Sequence, residues 1–574
     1  MQKRWVIKKE LDKEKALSLA KKLNLSPLSI QFLYNRGIAE DKVEEFFHPS
    51  LKDLHNPFLM KGMKTATQRI MKAVSHKEKI LIYGDYDVDG ITATSVLLLF
   101  LRELGLSGYF YIPQRMDEGY GLNNEAIKKI AREGINLVIT CDCGISSVKE
   151  IEYAKTLGLE VIVTDHHQVK KDLPPSLATI NPHQPDCPYP FKDLAGVGVA
   201  FKLVQALAQE VSQKNLNIQK YLDLVAMGTI ADVVSLRDEN RVIVKLGLQY
   251  LEETSNIGLK ALMNVVSLSG EKIKENNVGF VLAPRLNACG RLSLAKKGVK
   301  LFLSTSSEEA FSLAKALDEE NRKRQQIERR MRKEAEKLLP KRKEDRVIII
   351  SKKDWHEGVI GLVASYIREK YFRPAIVFSS NGKTAKGSAR SIPNFPIFDA
   401  LKKCEDLLIN FGGHKMAAGM KISVDNIEKL RKRINEVAKE TISPEDLVPS
   451  YYIDACVNLD DLDEDFFDKL KCFPPYGPGN PPPLLLAKKI SILSSLQTIG
   501  KGGVKMILGS DKGKNKFEGI VFGSNNGGRK FSENSKKIDI VFTPKINKWR
   551  GKKNYQIEIK DWRGKKDERI IEKD

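Results

Sequence analysis

Three short runs of aliphatic, mostly β-branched residues each end in an acidic or histidine cluster. "KILIY" at 79–83 runs into "GDYDVDG", "LVIT" at 137–140 into "CDCG", and "VIVT" at 161–164 into "DHH". Helical patterns separate them: "TATSVLLLFLREL", "NNEAIKKIAREG" and "SSVKEIEYAKTLG". Strands alternating with helices indicate a parallel α/β sheet. In such a sheet the carboxyl ends of adjacent strands converge on one edge, where ligands bind. The polar clusters lie at those ends. Here too is a reason for a chain with eight histidines to set His166 beside His167. Adjacent strand residues point to opposite faces, so a core role would not suit both. The alternative for the pair alone is a solvated loop just past the strand.

Asp85, Asp87 and Asp89 fall within five residues, flanked by Gly84 and Gly90. Their mutual repulsion is costly unless cations compensate it. Asp142 ends the next strand, His166 and His167 the one after, and "MGTIADVVSL" sets Asp232 behind an apolar helical segment. Carboxylates mixed with imidazole suit Mn²⁺ well and Mg²⁺ acceptably, whereas zinc would favour thiols. One carboxylate shared by two ions ~3.5–4 Å apart would give a two-metal phosphoester hydrolase. Taken singly, "DYDVDG" and "CDCG" also read as turns and Asp232 as a helix cap. Their joint position at strand ends favours a metal site.

Composition narrows the partner. A net charge of +22 favours a polyanion, nucleic acid above all, with lysine-rich solvated surface as the bland alternative. No apolar run reaches the ~18 residues of a membrane span. The opening "MQKRWVIKKELDKEKALSLAKKL" lacks an apolar core and reads as ordinary structure rather than a signal peptide. Cys141, Cys143, Cys187, Cys289, Cys404, Cys456 and Cys472 are scattered, odd in number and without a C-x-x-C, which points to a reducing, cytoplasmic compartment.

The length calls for several domains. A segment from Ser306, capped by Glu309 and stopped by Pro340, reads as one long helix. Its middle, "DEENRKRQQ", has no apolar residue and is expected to bridge domains instead of packing in a core. Beyond it "RVIII" and "RPAIVFSS" restart a strand-bearing domain. After "CFPPYGPGNPPP" the pattern turns to short alternating strands, an all-β reading that suits a small barrel. There, Trp549, Tyr555 and Trp562 interleave with lysines and arginines. That pattern fits a single-strand stacking platform or, equally, the inward face of a strand carrying Tyr555, Ile557 and Ile559.

"DYDVDG", "CDCG", "DHH" and "ADVV", in that order, resemble the DHH phosphoesterase superfamily. Further segments narrow the likeness to its RecJ family of single-strand-specific 5′→3′ DNA exonucleases: "RMDEGYGLN", "LAGVGVAFKL", "RLNACGRL", "WHEGVIGLVAS", "KGSARSI", "FGGHKMAAG" and "CFPPYGPGNPPP". The likeness runs from about residue 50 to about residue 565. It implies an N-terminal region at 1–54, a parallel-sheet DHH catalytic domain at 55–304 and a connecting helix at 305–345. An α/β DHHA1 substrate domain follows at 346–446, and an OB-like β-barrel at 447–574.

The resemblance also implies roles. Asp87, Asp89, Asp142, His166 and Asp232 match metal ligands, with Asp142 as the bridge between two divalent cations, Mn²⁺ favoured over Mg²⁺. His167 matches a histidine beside the scissile phosphate, and Asp85 and Asp165 fit orienting roles. Arg115, Arg285, Asn287, Arg291, His356, Ser388, Arg390, Gly412, Gly413 and His414 match phosphate or strand contacts, with local hydrogen bonding the alternative for His356 and a surface or salt-bridge role that for any single arginine. Arginine forks suit phosphate, and glycine lets the backbone approach closely. Mononucleotide products, a monomer, a role in recombination and repair, and partnership with a helicase and a single-strand-binding protein are implied as well. A phosphodiesterase for very short or cyclic dinucleotides and a non-catalytic DNA-binding scaffold are the rival readings. The first has no use for a strand-binding barrel, and the second predicts lost ligands, of which none is missing.

Overall fold

The computed structural model describes residues 3–114, 118–169, 172–211, 216–292, 295–339, 345–500, 503–510, 513–522, 537–549, 552–564 and 570–572. The three expected strands appear as Ile80–Gly84, Leu137–Cys141 and Glu160–Thr164, side by side and parallel in the centre of a five-stranded sheet. Tyr109–Tyr111 and Ala178–Ile180 flank them, also in parallel. The central strands are buried along nearly their whole length, as a sheet covered by helices on both faces requires. On one face the helices Val88–Glu103 and Gly196–Glu210 join a large apolar cluster with Leu222–Ala231. On the other, Asn124–Arg132 and Val148–Thr156 cover Leu81, Val138 and Val161.

The long helix spans Ser307–Lys337, with Ser306 accepting from Glu309 N–H at its start. The expected stop, Pro340, lies outside the described residues. Ala310, Ala314 and Leu317 pack into the first domain's core, while Met331 and Ala335 pack into the next. Its polar middle runs between those two cores, yet it is not wholly exposed. Asp318 and Asn321 are buried, and Asp318 pairs with Arg285 at 2.9 Å and Arg322 at 2.8 Å. Charge pairing across helices fills a crossing that apolar side chains would otherwise fill.

The following domain holds a mixed sheet in the order Leu408–His414, Ala417–Ser423, Thr384–Arg390, Ala375–Ser380, Ile348–Lys353, with only the last two strands parallel. The last domain is a barrel. Leu485–Ile492, Lys537–Trp549, Lys552–Gly564, Lys516–Val521 and Gly503–Gly509 pair in turn, and Ser491 opposite Gly509 closes the ring. Inside it Ile557 and Ile559 are fully buried. Tyr555 stacks on Phe467 at 4.3 Å and Trp562 lies in the core, so packing claims two of the three aromatics read as a stacking platform. The Trp549 side chain lies outside the described residues.

The N-terminal residues complete the barrel's core. Phe32, Phe46 and Phe47 meet Phe466 and Phe473 edge to face. The strand Arg4–Ile7 runs parallel between Ser450–Ile453 and Ile570–Glu572. No helix among the described residues is long and apolar enough to cross a membrane.

Candidate metal centre and substrate cleft

Each strand end delivers its acidic residue by a local device. Asp87 caps the helix Val88–Glu103 by accepting from Gly90 N–H, which sets Asp89 in the first turn. Asp89 is buried and receives the amides of Gly196 (2.6 Å) and Val197 (2.7 Å) from the start of Gly196–Glu210. That helix start approaches so closely because residue 196 is glycine: a Cβ there would lie 2.6 Å from the Asp142 Cβ. Asp142 takes a left-handed φ of 59° just beyond its strand, a conformation aspartate tolerates better than most residues. Asp232 caps the C-terminus of Leu222–Ala231.

These devices bring the side chains together. The His166 Nε2 lies 3.1 Å from Asp142 Oδ1, 3.6 Å from Asp232 Oδ2 and 3.8 Å from Asp89 Oδ2. Ligand atoms of Asp89, His166 and Asp232 all fall within 4.8 Å of one another. The same holds for Asp85, Asp87 and Asp142, and for Asp142, His166 and His167, so Asp142 and His166 each belong to two groups. Asp85, expected to orient ligands, thus presents its own carboxylate beside Asp87 and Asp142.

The protonation states ask for cations. Burial, with His167 nearby, pulls His166 down to about 4, and its ring also bonds the Leu194 backbone. A neutral imidazole whose proton is held at Nδ1 turns a lone pair on Nε2 toward three carboxylates. Both Asp142 Oδ1 and His166 Nε2 are buried without a hydrogen bond among the described residues. Two acceptors facing at 3.1 Å repel unless an electrophile stands with them. Burial, then Asp89, Asp87, Asp85 and Asp232, push the Asp142 carboxyl well above its usual range. Burial and acidic neighbours push Asp232 to about 9 and Asp89 to about 7. Hard oxygen donors with one imidazole fit divalent cations of the manganese and magnesium kind.

His167 differs from its neighbour. Burial acts to lower it, but the bond to Asp165 (2.8 Å) prevails and raises it to about 9. Asp165 is itself fixed by the amides of Ile145, His166 and His167. With Nδ1 so engaged, Nε2 is the nitrogen of His167 open to a substrate.

A cavity of about 330 Å³ opens over this cluster and is lined by Asp87, Tyr120, His167, Asn287 and Arg291, among others. Asn287 and Arg291 come from the helix Ala283–Leu292, and Arg291 donates to the Gly358 carbonyl of the following domain at 3.2 Å. In that domain Arg390 donates to Ser388 Oγ (3.1 Å), and burial, then Arg390 and His167, lower His414. Gly413 sits at φ 144° where a Cβ would meet the Ala417 carbonyl, while Gly412 borders open space. Two expected contacts are engaged elsewhere: Arg285 by Asp318 and the Val281 carbonyl, and His356 by the Gly358 amide, which it caps. Arg115 lies outside the described residues.

Tyr120 went unassigned in the sequence, although "DEGYGLN" contains it. Its hydroxyl donates to the Asp142 carbonyl (3.1 Å) and lies 3.2 Å from His167 Nδ1, with the rings edge to face. The glycines on either side of it were the available signal. Tyr120→Phe keeps the ring and loses the hydroxyl bond. We expect kcat to fall about 10-fold with little change in KM, read in steady-state assays. An unchanged kcat would leave Tyr120 no part in holding His167.

Residues 79–229 match the model of the DHH family, N-terminal domain, residues 344–440 that of the DHHA1 domain, and residues 453–561 that of the RecJ OB domain. The single-stranded-DNA-specific exonuclease RecJ of Bacillus subtilis (strain 168) is 42% identical, over 97% of this chain and 70% of that protein. The crystal structure of RecJ from Thermus thermophilus in complex with Mn²⁺ superposes with a TM-score of 0.84 at 30% identity, over 99% of this chain and 80% of that one. Its Mg²⁺ complex gives 0.79 at 27% identity, over 100% and 79%. The chain belongs to the RecJ family, and its DHH, DHHA1 and OB matches fall on the parallel sheet, the mixed sheet and the barrel.

Proposed function

We propose that this chain is a metal-dependent exonuclease that degrades single-stranded DNA 5′→3′ to mononucleotides by phosphodiester hydrolysis. The observation that carries the reading is the bare His166 Nε2 among the carboxylates of Asp142, Asp232 and Asp89. In this reading Asp87, Asp89, Asp142, His166 and Asp232 hold two divalent cations, Mn²⁺ in preference to Mg²⁺, with Asp142 between them. Asp85 steadies that set or shares in it. Bound there, the cations supply a hydroxide nucleophile at neutral pH and offset the charge gathering on phosphorus.

The chain's own groups do the rest. His167, a cation at neutral pH, donates from Nε2 to a phosphate oxygen or passes its proton to the leaving oxygen, while Asp165 holds the ring. Asn287 and Arg291 grip the strand from one wall, and Ser388, Arg390, Gly412, Gly413 and His414 from the other. Arg115, Arg285 and His356 join them when the strand is bound. A cleft lined by phosphate-binding side chains and too narrow for a duplex would select single strands by width rather than by base. The barrel guides the strand in, and a helicase and a single-strand-binding protein present it during recombination and repair. The enzyme acts in the cytoplasm as a monomer.

The test is a time course on two single-stranded oligonucleotides, one labelled at each end. With Mn²⁺, the 5′ label appears at once as mononucleotide and the 3′-labelled strand shortens stepwise; with EDTA neither changes. Tight strand binding without metal-dependent cleavage would favour a scaffold instead, and faster turnover of a dinucleotide than of a long strand would favour the short-substrate phosphodiesterase.

A further inference from the structure

Phe280 is 79% exposed, although Val278 and Leu282 on either side of it are fully buried. All three belong to the wide turn Val278–Leu282, in which Ala283 N–H donates to the Val278 carbonyl, five residues back. Pro284 is the local cause. It has no amide to offer the Phe280 carbonyl, and its ring needs the room that a wider turn provides. Val278 and Leu282 take the inner side of that turn, so Phe280, midway between them, is directed outward.

The side it faces is that of the cleft. Pro284, Asn287 and Arg291 follow Phe280 at the spacing of one helical face, and Asn287 and Arg291 line the cavity over the metal cluster. The wide turn also lies against the end of the helix Leu222–Ala231: a Cβ on Gly279 would lie 3.8 Å from Ile230 Cγ2. Beyond that end come Asp232, which reaches the cluster, and Val233, which is 65% exposed at φ 62°. A β-branched residue at such a φ is strained, and strain of that kind gathers at functional sites. Apolar side chains exposed singly need no explanation, but two on adjoining elements at the rim of a charged cleft do.

We propose that Phe280 is a base platform: its ring stacks on a base of the single strand whose phosphates lie in the cleft, with Val233 widening the apolar rim beside it. The inference rests on the reading of the chain as a single-strand nuclease and adds a contact with a base to a set of contacts with phosphate. Phosphates drawn into a cleft of arginine, serine and glycine leave their bases turned outward, and every base has a face to stack. Such a contact orders the strand at the site without reading its sequence.

The test measures strand affinity in EDTA and cleavage with Mn²⁺ on the full-length chain. Its probes are single-stranded oligonucleotides carrying one abasic position, moved stepwise from the 5′ end. The unaltered chain should lose about 10-fold in affinity when the abasic position falls at one of the first few nucleotides. Phe280→Ala should bind the intact strand about 10-fold more weakly and lose that step, whereas Phe280→Trp should keep both. The ring is exposed, so both variants should melt as the unaltered chain does. Phe280→Ala binding as tightly as the unaltered chain would overturn the inference. An unaltered chain indifferent to the abasic position near the 5′ end would overturn it without any variant. Failure of the underlying reading looks different: a strand held with the abasic step intact but not cut with Mn²⁺ would keep the platform and remove the nuclease.

Discussion

Asp142→Asn should abolish metal-dependent cleavage, by at least about 10³-fold, and yet raise the thermal midpoint of the metal-free protein. Both effects have one origin. The Asp142 carboxylate is buried 3.1 Å from a neutral imidazole, with the charges of Asp89, Asp87, Asp85 and Asp232 around it. Only a cation makes that charge favourable. Asparagine has the same size and no charge, so it relieves repulsion in the empty cluster and removes the ligand from the filled one. The pH dependence has a definite sign. Carboxyls held above their unfolded values bind protons in the folded state that the unfolded chain has released, so stability falls as pH rises. In EDTA the unaltered chain should lose stability as pH rises above the unfolded carboxylate range of about 4. The loss from Asp89 levels off near pH 7 and that from Asp232 near pH 9. The substitution should flatten that slope. Saturating the unaltered chain with Mn²⁺ to 100 times its Kd should stabilise it by about 2.7 kcal/mol, and the variant by less. Melting curves in EDTA and in MnCl₂, with gel assays of the same samples, read every part. Retained cleavage in the variant would remove the reaction from this cluster.

The second large effect concerns stability alone. Lys202→Met should destabilise the catalytic domain by about 3–5 kcal/mol, the cost of stranding a buried charge. Lys202 and Glu239 are both fully buried, 2.9 Å apart. Lys202 also donates to the His55 carbonyl, and Glu239 accepts from the His55 amide and the Tyr189 hydroxyl. Burial pulls the lysine pKa down and its partnership with Glu239 resists that pull. Removing the ammonium leaves a buried carboxylate with too few donors. Adding Glu239→Gln should recover much of the loss, because a neutral amide needs no counter-charge. Urea unfolding followed by circular dichroism measures both variants. A single-variant loss below about 1 kcal/mol would mean that water reaches Glu239 once the lysine is gone.

The sequence displayed the central strands and their polar ends because a buried parallel strand is a short apolar run and its end is a loop that carries chemistry. It hid what depends on distant partners. Tyr109–Tyr111 and Ala178–Ile180 are too short to show a pattern. The amides that hold Asp89 come from Gly196 and Val197, 107 and 108 residues away. The burial of Asp318 in the middle of the long helix was hidden because its partner Arg285 belongs to another helix. Tyr555 and Trp562 were ambiguous for a different reason: in a strand, alternation of aromatic and basic residues marks two faces without saying which one is inside. The helix cap at His356 is a local bond that spacing alone does not distinguish from a substrate contact.

The N-terminal strand pairs with partners 446 residues downstream, and Phe46 and Phe47 close a core built with Phe473. During synthesis those residues leave the ribosome first and wait for the barrel, roughly 20–90 s at common elongation rates. Through that interval Trp5, Phe32, Phe46 and Phe47 lack the barrel residues they pack against, while the catalytic sheet between them can already fold from its own residues. The barrel, made later, therefore releases the N-terminal residues from solvent. A nascent chain that has not yet made the barrel would carry a folded catalytic sheet beside N-terminal aromatics still exposed to solvent.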